Sequence, residues 1–124
     1  MDDIFDKDEK LYRAVYPPSH PRMFWKKDGS LSSAAFHDKK GLSVERGNNR
    51  KSEEVVENMK KFFVGCIVSV KVDDCNAINA LVKYCPSERS KYHSEIHGSK
   101  DDVLLSREQR YYLAQKAVKE YVVP

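Results

Sequence analysis

Two histidines with a carboxylate between them form the densest group of reactive side chains in this chain. The stretch from His93 to His97 reads His-Ser-Glu-Ile-His, and Cys85 precedes it by eight residues. Imidazole and carboxylate groups exchange protons near neutral pH and are the usual general acids and bases of enzymes. The residue types therefore indicate acid–base chemistry, with His93, Glu95 and His97 as the candidate catalytic residues.

A metal site is one alternative for these side chains. Two histidines four residues apart can share an ion on a helix. On a strand they lie about 13 Å apart, at a rise of roughly 3.3 Å per residue. A strand over 92–97 argues against a shared ion, and a zinc site at Cys85 and His93 would also need Cys75 to fold back. We predict no metal and no cofactor. A solvated edge strand, with the polar residues facing water, is the non-catalytic alternative.

A second group of polar residues suits an anion. Arg13 lies between Leu11 and Val15 on one side of a predicted strand. Burying an unpaired guanidinium is costly, so we expect Arg13 to have an acidic or anionic partner. Arginine forks and serine hydroxyls both bind phosphate, although the chain has no Walker or G-x-G-x-x-G motif. The candidate ligand-binding residues are Arg13, Ser32, Ser33, Ser43 and Arg46.

The elements that position these residues are those of an α+β fold. Alternating or continuous apolar patterns predict strands, and apolar residues at helical spacing predict two main helices, at about 53–63 and 107–120. We expect a single domain over 1–124 with about five strands in a mixed or antiparallel sheet. The nearly continuous apolar run 66–72 is predicted to lie inside the sheet. The predicted strands cover 10–16, 41–46, 66–72, 80–84 and 92–97.

Local signals mark where the helices begin. Ser52 is a good N-cap residue, and Ser106 with Gln109 forms a capping-box pattern. The segment 31–36 fits a short strand or a single helical turn equally well. Residues 122–123 are predicted as a last short strand.

Composition limits the class of protein. The chain has 124 residues, 40% of them hydrophobic and 33% charged, with a net charge of +3. This charge is too small to indicate nucleic-acid binding by itself. The acidic start, 1–9, is predicted to be a flexible arm, frayed or lightly docked, and lacks the pattern of a signal peptide. No apolar run approaches the ~18 residues of a membrane span. The three cysteines are expected to be free thiols in a cytoplasmic protein without membrane contact.

Two pairs of stretches resemble a known family. They are Gly29–Phe36 leading to Gly41–Val44, and Val82–Tyr84 leading to Tyr92–Gly98. They resemble a family of small, uncharacterised bacterial proteins, over most of the chain from Leu11 onward. The resemblance implies a bacterial source.

The opening of the chain also resembles the first motifs of ADP-ribosyltransferase-type folds, the RES toxins included. The similar part is Leu11-Tyr12-Arg13 followed by a serine-bearing segment. In those folds an early strand arginine and a later serine hold NAD. The resemblance implies such a role for Arg13 and for Ser32 or Ser33. The acidic catalytic residue of those folds has no matching motif in this chain, and Glu95 is our candidate for it.

Two function classes follow. The first is a small enzyme or toxin-like domain that acts on a nucleotide or nucleic acid through Arg13, His93, Glu95 and His97. The second is a non-catalytic binding or accessory module, such as an immunity-type protein, which holds a protein partner. Convergence of Arg13, a serine of 32–43 and a histidine of 93–97 in one cleft would favour the first class, and their dispersal would favour the second.

Overall fold

The structure is a computed structural model that describes residues 2–124. It contains six strands, three α-helices and a 3₁₀ helix at Ser33–Phe36. Among residues 2–124, no helix has the length and apolar character needed to cross a bilayer. In chain order the strands and α-helices are β1 (Lys10–Val15), β2 (Leu42–Arg46), α1 (Ser52–Lys60), β3 (Cys66–Lys71), α2 (Val72–Ala77), β4 (Leu81–Tyr84), β5 (His93–His97), α3 (Arg107–Lys116) and β6 (Val118–Tyr121).

All six strands form one antiparallel sheet in the order β4-β5-β2-β1-β3-β6. The predicted single α+β domain is confirmed, whereas the predicted number of about five strands is one too few. β3 lies between β1 and β6, as expected for its apolar sequence. It begins one residue after Gly65, whose φ is +116° and whose added Cβ would lie 2.6 Å from the carbonyl oxygen of Val15.

The sixth strand arises from residues that we predicted as the end of the last helix. α3 stops at Lys116, and Ala117 is already extended, with ψ of 136°. From Val118 the chain pairs with Ser69 of β3, and Glu120 accepts a hydrogen bond from the hydroxyl of Ser69. Pairing with a buried strand therefore prevails over the weak helical pattern of these residues. The short strand predicted at 122–123 is not formed.

The two faces of the sheet carry separate apolar clusters. On the face that we call the α3 face, Leu11 and Val15 of β1 belong to the larger cluster, which the 3₁₀ helix, α2 and α3 cover. On the opposite face, the α1 face, Tyr12 of β1 and Ile67 of β3 pack against α1. The smaller cluster consists of residues of α1, β1, β3 and β6 with Phe63. The part of the α1 face formed by β2, β5 and β4 therefore lies outside the cover of α1.

Ser52 has a different role from the predicted one. The N-cap of α1 is Lys51, which makes no side-chain capping bond. Ser52 is the first helical residue, and its hydroxyl lies 2.8 Å from the hydroxyl of Tyr12 and 3.2 Å from Nζ of Lys10. The serine thus joins the start of α1 to β1.

The segment before β1 is docked on the domain through Arg46, which is only 2% exposed. Its guanidinium donates to both carboxylate oxygens of Glu9, at 2.8 and 3.0 Å. It also donates to the backbone carbonyls of Asp2 and Ile4. The ring of Phe5 lies 4.0 Å from the guanidinium carbon. Of the two alternatives for the acidic arm, these contacts correspond to the docked one.

Candidate functional site

The alternation of β5 places His93, Glu95 and His97 on one face, as predicted. Glu45 of β2 is paired on one side with His93 and on the other with Tyr12. Because directly paired residues share a face, the three candidate catalytic residues lie on the α1 face. They lie on the part of that face outside the cover of α1, and all three are half-buried.

His93 is fixed by hydrogen bonds on both ring nitrogens. Nδ1 lies 2.8 Å from the carbonyl oxygen of Cys85. A carbonyl accepts only, so Nδ1 carries the proton and Nε2 of the neutral ring is an acceptor. Nε2 lies 3.3 Å from the hydroxyl of Ser43, which is therefore the donor. A hydroxyl, an accepting imidazole and a group that orients the imidazole form the arrangement that activates an oxygen nucleophile.

Glu95 and His97 form a separate pair. Nε2 of His97 lies 2.8 Å from Oε1 of Glu95. The two side chains lie over Gly41, where an added Cβ would be 2.6 Å from the carboxylate and 3.0 Å from the imidazole. Gly41 also has φ of +103°, which favours glycine. Gly41 thus makes room for the pair and for the turn into β2.

Arg13 fills a gap between β1 and β2. These strands are paired only at Leu11–Arg46 and Tyr12–Glu45. Beyond that point, Nη1 of Arg13 donates to the carbonyl of Ser43, and Nε donates to the carbonyl of Ala35. Burial lowers the pKa of Arg13 to about 10, and the negative charge of Asp38 opposes this shift. The guanidinium remains protonated near neutral pH, at a cost in desolvation.

Three of the predicted site residues meet at one cavity. Arg13, Ser43 and His93 line a cavity of about 80 Å³ that opens on the α1 face. Glu95 and His97 lie farther along β5, outside this lining. Ser32 caps the 3₁₀ helix, and Ser33 is its first residue. Arg46, enclosed by the N-terminal segment, lies outside the cavity as well.

A basic and aromatic groove adjoins the cavity. Its volume is about 320 Å³, and Glu45, Met59, Phe63 and Arg89 line both spaces. The guanidinium carbon of Arg89 lies 5.0 Å from the ring centre of Phe63. The cationic side chains along the groove are Arg50, Lys61, Arg89 and Lys91.

Sequence analysis did not single out these groove residues. A signal for them exists in two short runs, Lys60-Lys61-Phe62-Phe63 and Arg89-Ser90-Lys91-Tyr92, in which cations stand beside aromatic rings. Such interleaving is typical of surfaces that bind nucleic acid. The runs are 28 residues apart in the chain, from Lys61 to Arg89. Only the fold shows that the end of α1 and the loop before β5 face each other.

Within residues 2–124, no three histidine, cysteine or acidic side chains are grouped closely enough to hold a metal ion. No protein-family model, curated protein or solved structure matches this chain. The geometry of the site is therefore the basis for a proposed function.

Proposed function

We propose that the protein binds a phosphate-bearing ligand, a nucleotide or nucleic acid, with a phosphate group in the cavity of Arg13, Ser43 and His93. The observation that carries this proposal is the charge of Arg13. No carboxylate of residues 2–124 lies within 4.0 Å of its guanidinium, although burial has removed much of its hydration. Asp38 acts on Arg13 only from beyond that distance, and a bound phosphate would be a direct partner for the free donors of the guanidinium fork.

The neighbouring groups support phosphoryl chemistry at the same place. Nε2 of His93 can take the proton of Ser43, or of a water in its position, as the oxygen attacks phosphorus. The P–O bond to the leaving group breaks in the same step, and the leaving oxygen takes a proton from water. Glu95 and His97 offer a second acid–base pair on the same strand. A small toxin-like enzyme of the bacterial cytoplasm would combine these features, and this is the function class that the geometry supports best.

The proposal is tested by placing a negative charge in the cavity. We expect Ser43→Asp to weaken the binding of AMP or ATP at least about tenfold, because the new carboxylate repels phosphate. Isothermal titration calorimetry measures this binding. Ser33→Asp is the matched control, since it makes the same change outside the cavity, and it should bind as the wild type does.

Arg13 itself is a poorer site for this test, because its guanidinium also bridges the carbonyls of Ala35 and Ser43. Thermal unfolding of both aspartate variants shows whether each is folded. If the wild type binds neither AMP nor ATP nor inorganic phosphate, or if Ser43→Asp binds them unchanged, the proposal is wrong.

A non-catalytic binding module is the second candidate, and a specific observation favours it. Glu95 and His97 are hydrogen-bonded to each other, and Nδ1 of His93 is bonded to the backbone, as in structural polar networks. β4 is an edge strand in which Leu81 and Lys83 are exposed, and a partner strand could pair with it. Loss of turnover without loss of ligand binding in His93→Gln would favour the enzyme over this module.

A further inference from the structure

Positive charge is concentrated in the groove beside the cavity. Arg50, Lys61, Arg89 and Lys91 line it, with Glu45 as the only carboxylate in the lining. Within residues 2–124, no carboxylate lies within 4.0 Å of any of these four cations. The carboxylate of Glu45 accepts a hydrogen bond from Ser90. A chain with a net charge of only +3 thus gathers unneutralised cations along one groove.

Ring and guanidinium surfaces stand among these charges. The guanidinium carbon of Arg50 lies 3.4 Å from the ring centre of Tyr92, which places the two groups in a stack. Phe62 is 59% exposed at the mouth of the groove, although a phenyl ring gains from burial. Exposed ring and guanidinium planes beside cations are the surfaces on which single-stranded nucleic acids stack their bases.

The sizes of the two spaces fit different parts of a nucleotide. The cavity of about 80 Å³ is below the ~300–1,000 Å³ typical of small-molecule sites, and it suits a phosphate group. The groove of about 320 Å³ reaches that range and suits a base with its sugar. Because Phe63 and Arg89 border both spaces, a chain of nucleotides can pass from one to the other without leaving the surface.

We infer that the ligand is a single strand of nucleic acid, which lies along the groove with one phosphodiester at Arg13 and His93. The inference rests on the proposed function, because it places that phosphodiester in the same cavity. A duplex is a poorer fit, since its bases are stacked on each other and cannot use the exposed face of Phe62. The cations along the groove then pair with neighbouring phosphates.

Fluorescence anisotropy with labelled oligothymidylate of about twelve nucleotides tests this inference. We expect the wild type to bind it more tightly than AMP, and its affinity to fall between about 50 and 200 mM NaCl as counterions are released. The double substitution Lys61→Glu with Arg89→Glu should weaken binding at least about tenfold. Lys27→Glu with Lys100→Glu changes the net charge equally at exposed positions away from the groove and should bind as the wild type does.

The outcomes separate this inference from the proposed function. Loss of oligothymidylate binding in the groove variant, with phosphate and AMP still sensitive to Ser43→Asp, supports both. The inference is wrong if AMP binds at the cavity but the groove variant keeps its affinity for oligothymidylate. It is also wrong if a duplex of equal length binds as tightly as the single strand. In both cases the proposed phosphate site in the cavity is unaffected. If neither AMP nor the oligonucleotide binds to the wild type, both are wrong.

Discussion

Burial of a single thiol links the stability of the domain to pH. Cys75 is fully buried, and desolvation, with a smaller contribution from Asp74, raises its pKa from 9.0 to about 12. Above pH 9.0 the unfolded chain loses this proton while the folded chain keeps it. The contribution of the buried thiol to stability is therefore complete below pH 9.0 and is lost as the pH rises toward 12.

We expect the stability difference between wild type and Cys75→Ala to shrink above pH 9.0, by up to about 1.4 kcal/mol per pH unit. Urea unfolding of both proteins from about pH 7 to about pH 10.5 measures this difference. Groups that titrate in both proteins cancel in the comparison. A difference that stays constant over this range would show that Cys75 is not desolvated as described.

For single residues, strand alternation predicted which side chains share a face but not which partners they contact. It correctly placed His93, Glu95 and His97 on one face, because side-chain direction on a strand follows from sequence spacing alone. The partner of a buried arginine does not follow from spacing. Arg46 pairs with Glu9, which is 37 residues away in the chain. Sequence spacing does not indicate that contact, and Arg46 was therefore predicted to bind a ligand. The ligand-binding roles of Arg13 and Ser43 stay predictions.

Among the elements, α3 depends on one glutamine. Ser106 and Gln109 form the predicted capping box, with each side chain bonded to the backbone nitrogen of the other residue. Nε2 of Gln109 also donates to the carbonyls of Ile78 and Gly98. The residue thus ties the start of α3 to the end of α2 and to the loop after β5.

Ser106→Ala should lower the free energy of unfolding by about 1 kcal/mol, since it removes one capping bond. Gln109→Ala should cost more, at least about 2 kcal/mol, because it also leaves the carbonyls of Ile78 and Gly98 without their donor. Chemical denaturation measures both changes. Gln115→Ala, on the exposed side of α3, is the control and should change stability by less than about 0.5 kcal/mol. Equal effects of the first two substitutions would contradict this role of Gln109.

Elements with strong local signals were predicted well, and those decided by tertiary pairing were not. The apolar run of β3 and the capping box of α3 carry their own signals. β6 does not, because Val118–Tyr121 has two charged residues at its centre and no apolar run, and its extended conformation goes with its pairing to β3. For the segment 31–36, which fitted a short strand or a helical turn, the structure has the 3₁₀ helix at Ser33–Phe36 with Ala35 and Phe36 buried, whereas Leu31 forms an isolated antiparallel bridge with Trp25.

For the whole molecule, unequal cover of the sheet creates the site. α1 packs on one part of its face, and β2, β5 and β4 extend beyond it with their polar residues outward. The groove forms at the boundary, between the end of α1 and the loop before β5. The sequence predicted both the helix and the polar strand, but not their separation, which depends on the order of strands in the sheet.

The ion pair between Glu9 and Arg46, the last residue of β2, shows how strongly the segment before β1 is held on the domain. Arg46 and Glu9 form a two-point ion pair that is almost fully enclosed, with side-chain exposures of 2% and 7%. Removing one partner leaves an uncompensated charge, so Glu9→Ala and Arg46→Met should each cost about 3–5 kcal/mol. The double substitution should cost less than their sum, and Glu88→Ala, at an exposed carboxylate, should change stability little.

Limited trypsin digestion, followed by mass spectrometry, reports on the segment itself. Cleavage after Lys7 should be slow in the wild type, because Arg46 holds the carbonyls of Asp2 and Ile4 and the carboxylate of Glu9. The same cleavage should be at least about tenfold faster in Arg46→Met, since a local opening that costs 1.4 kcal/mol less is ten times more populated. Equally fast cleavage in both proteins would mean that residues 2–9 are the flexible arm that the sequence predicted.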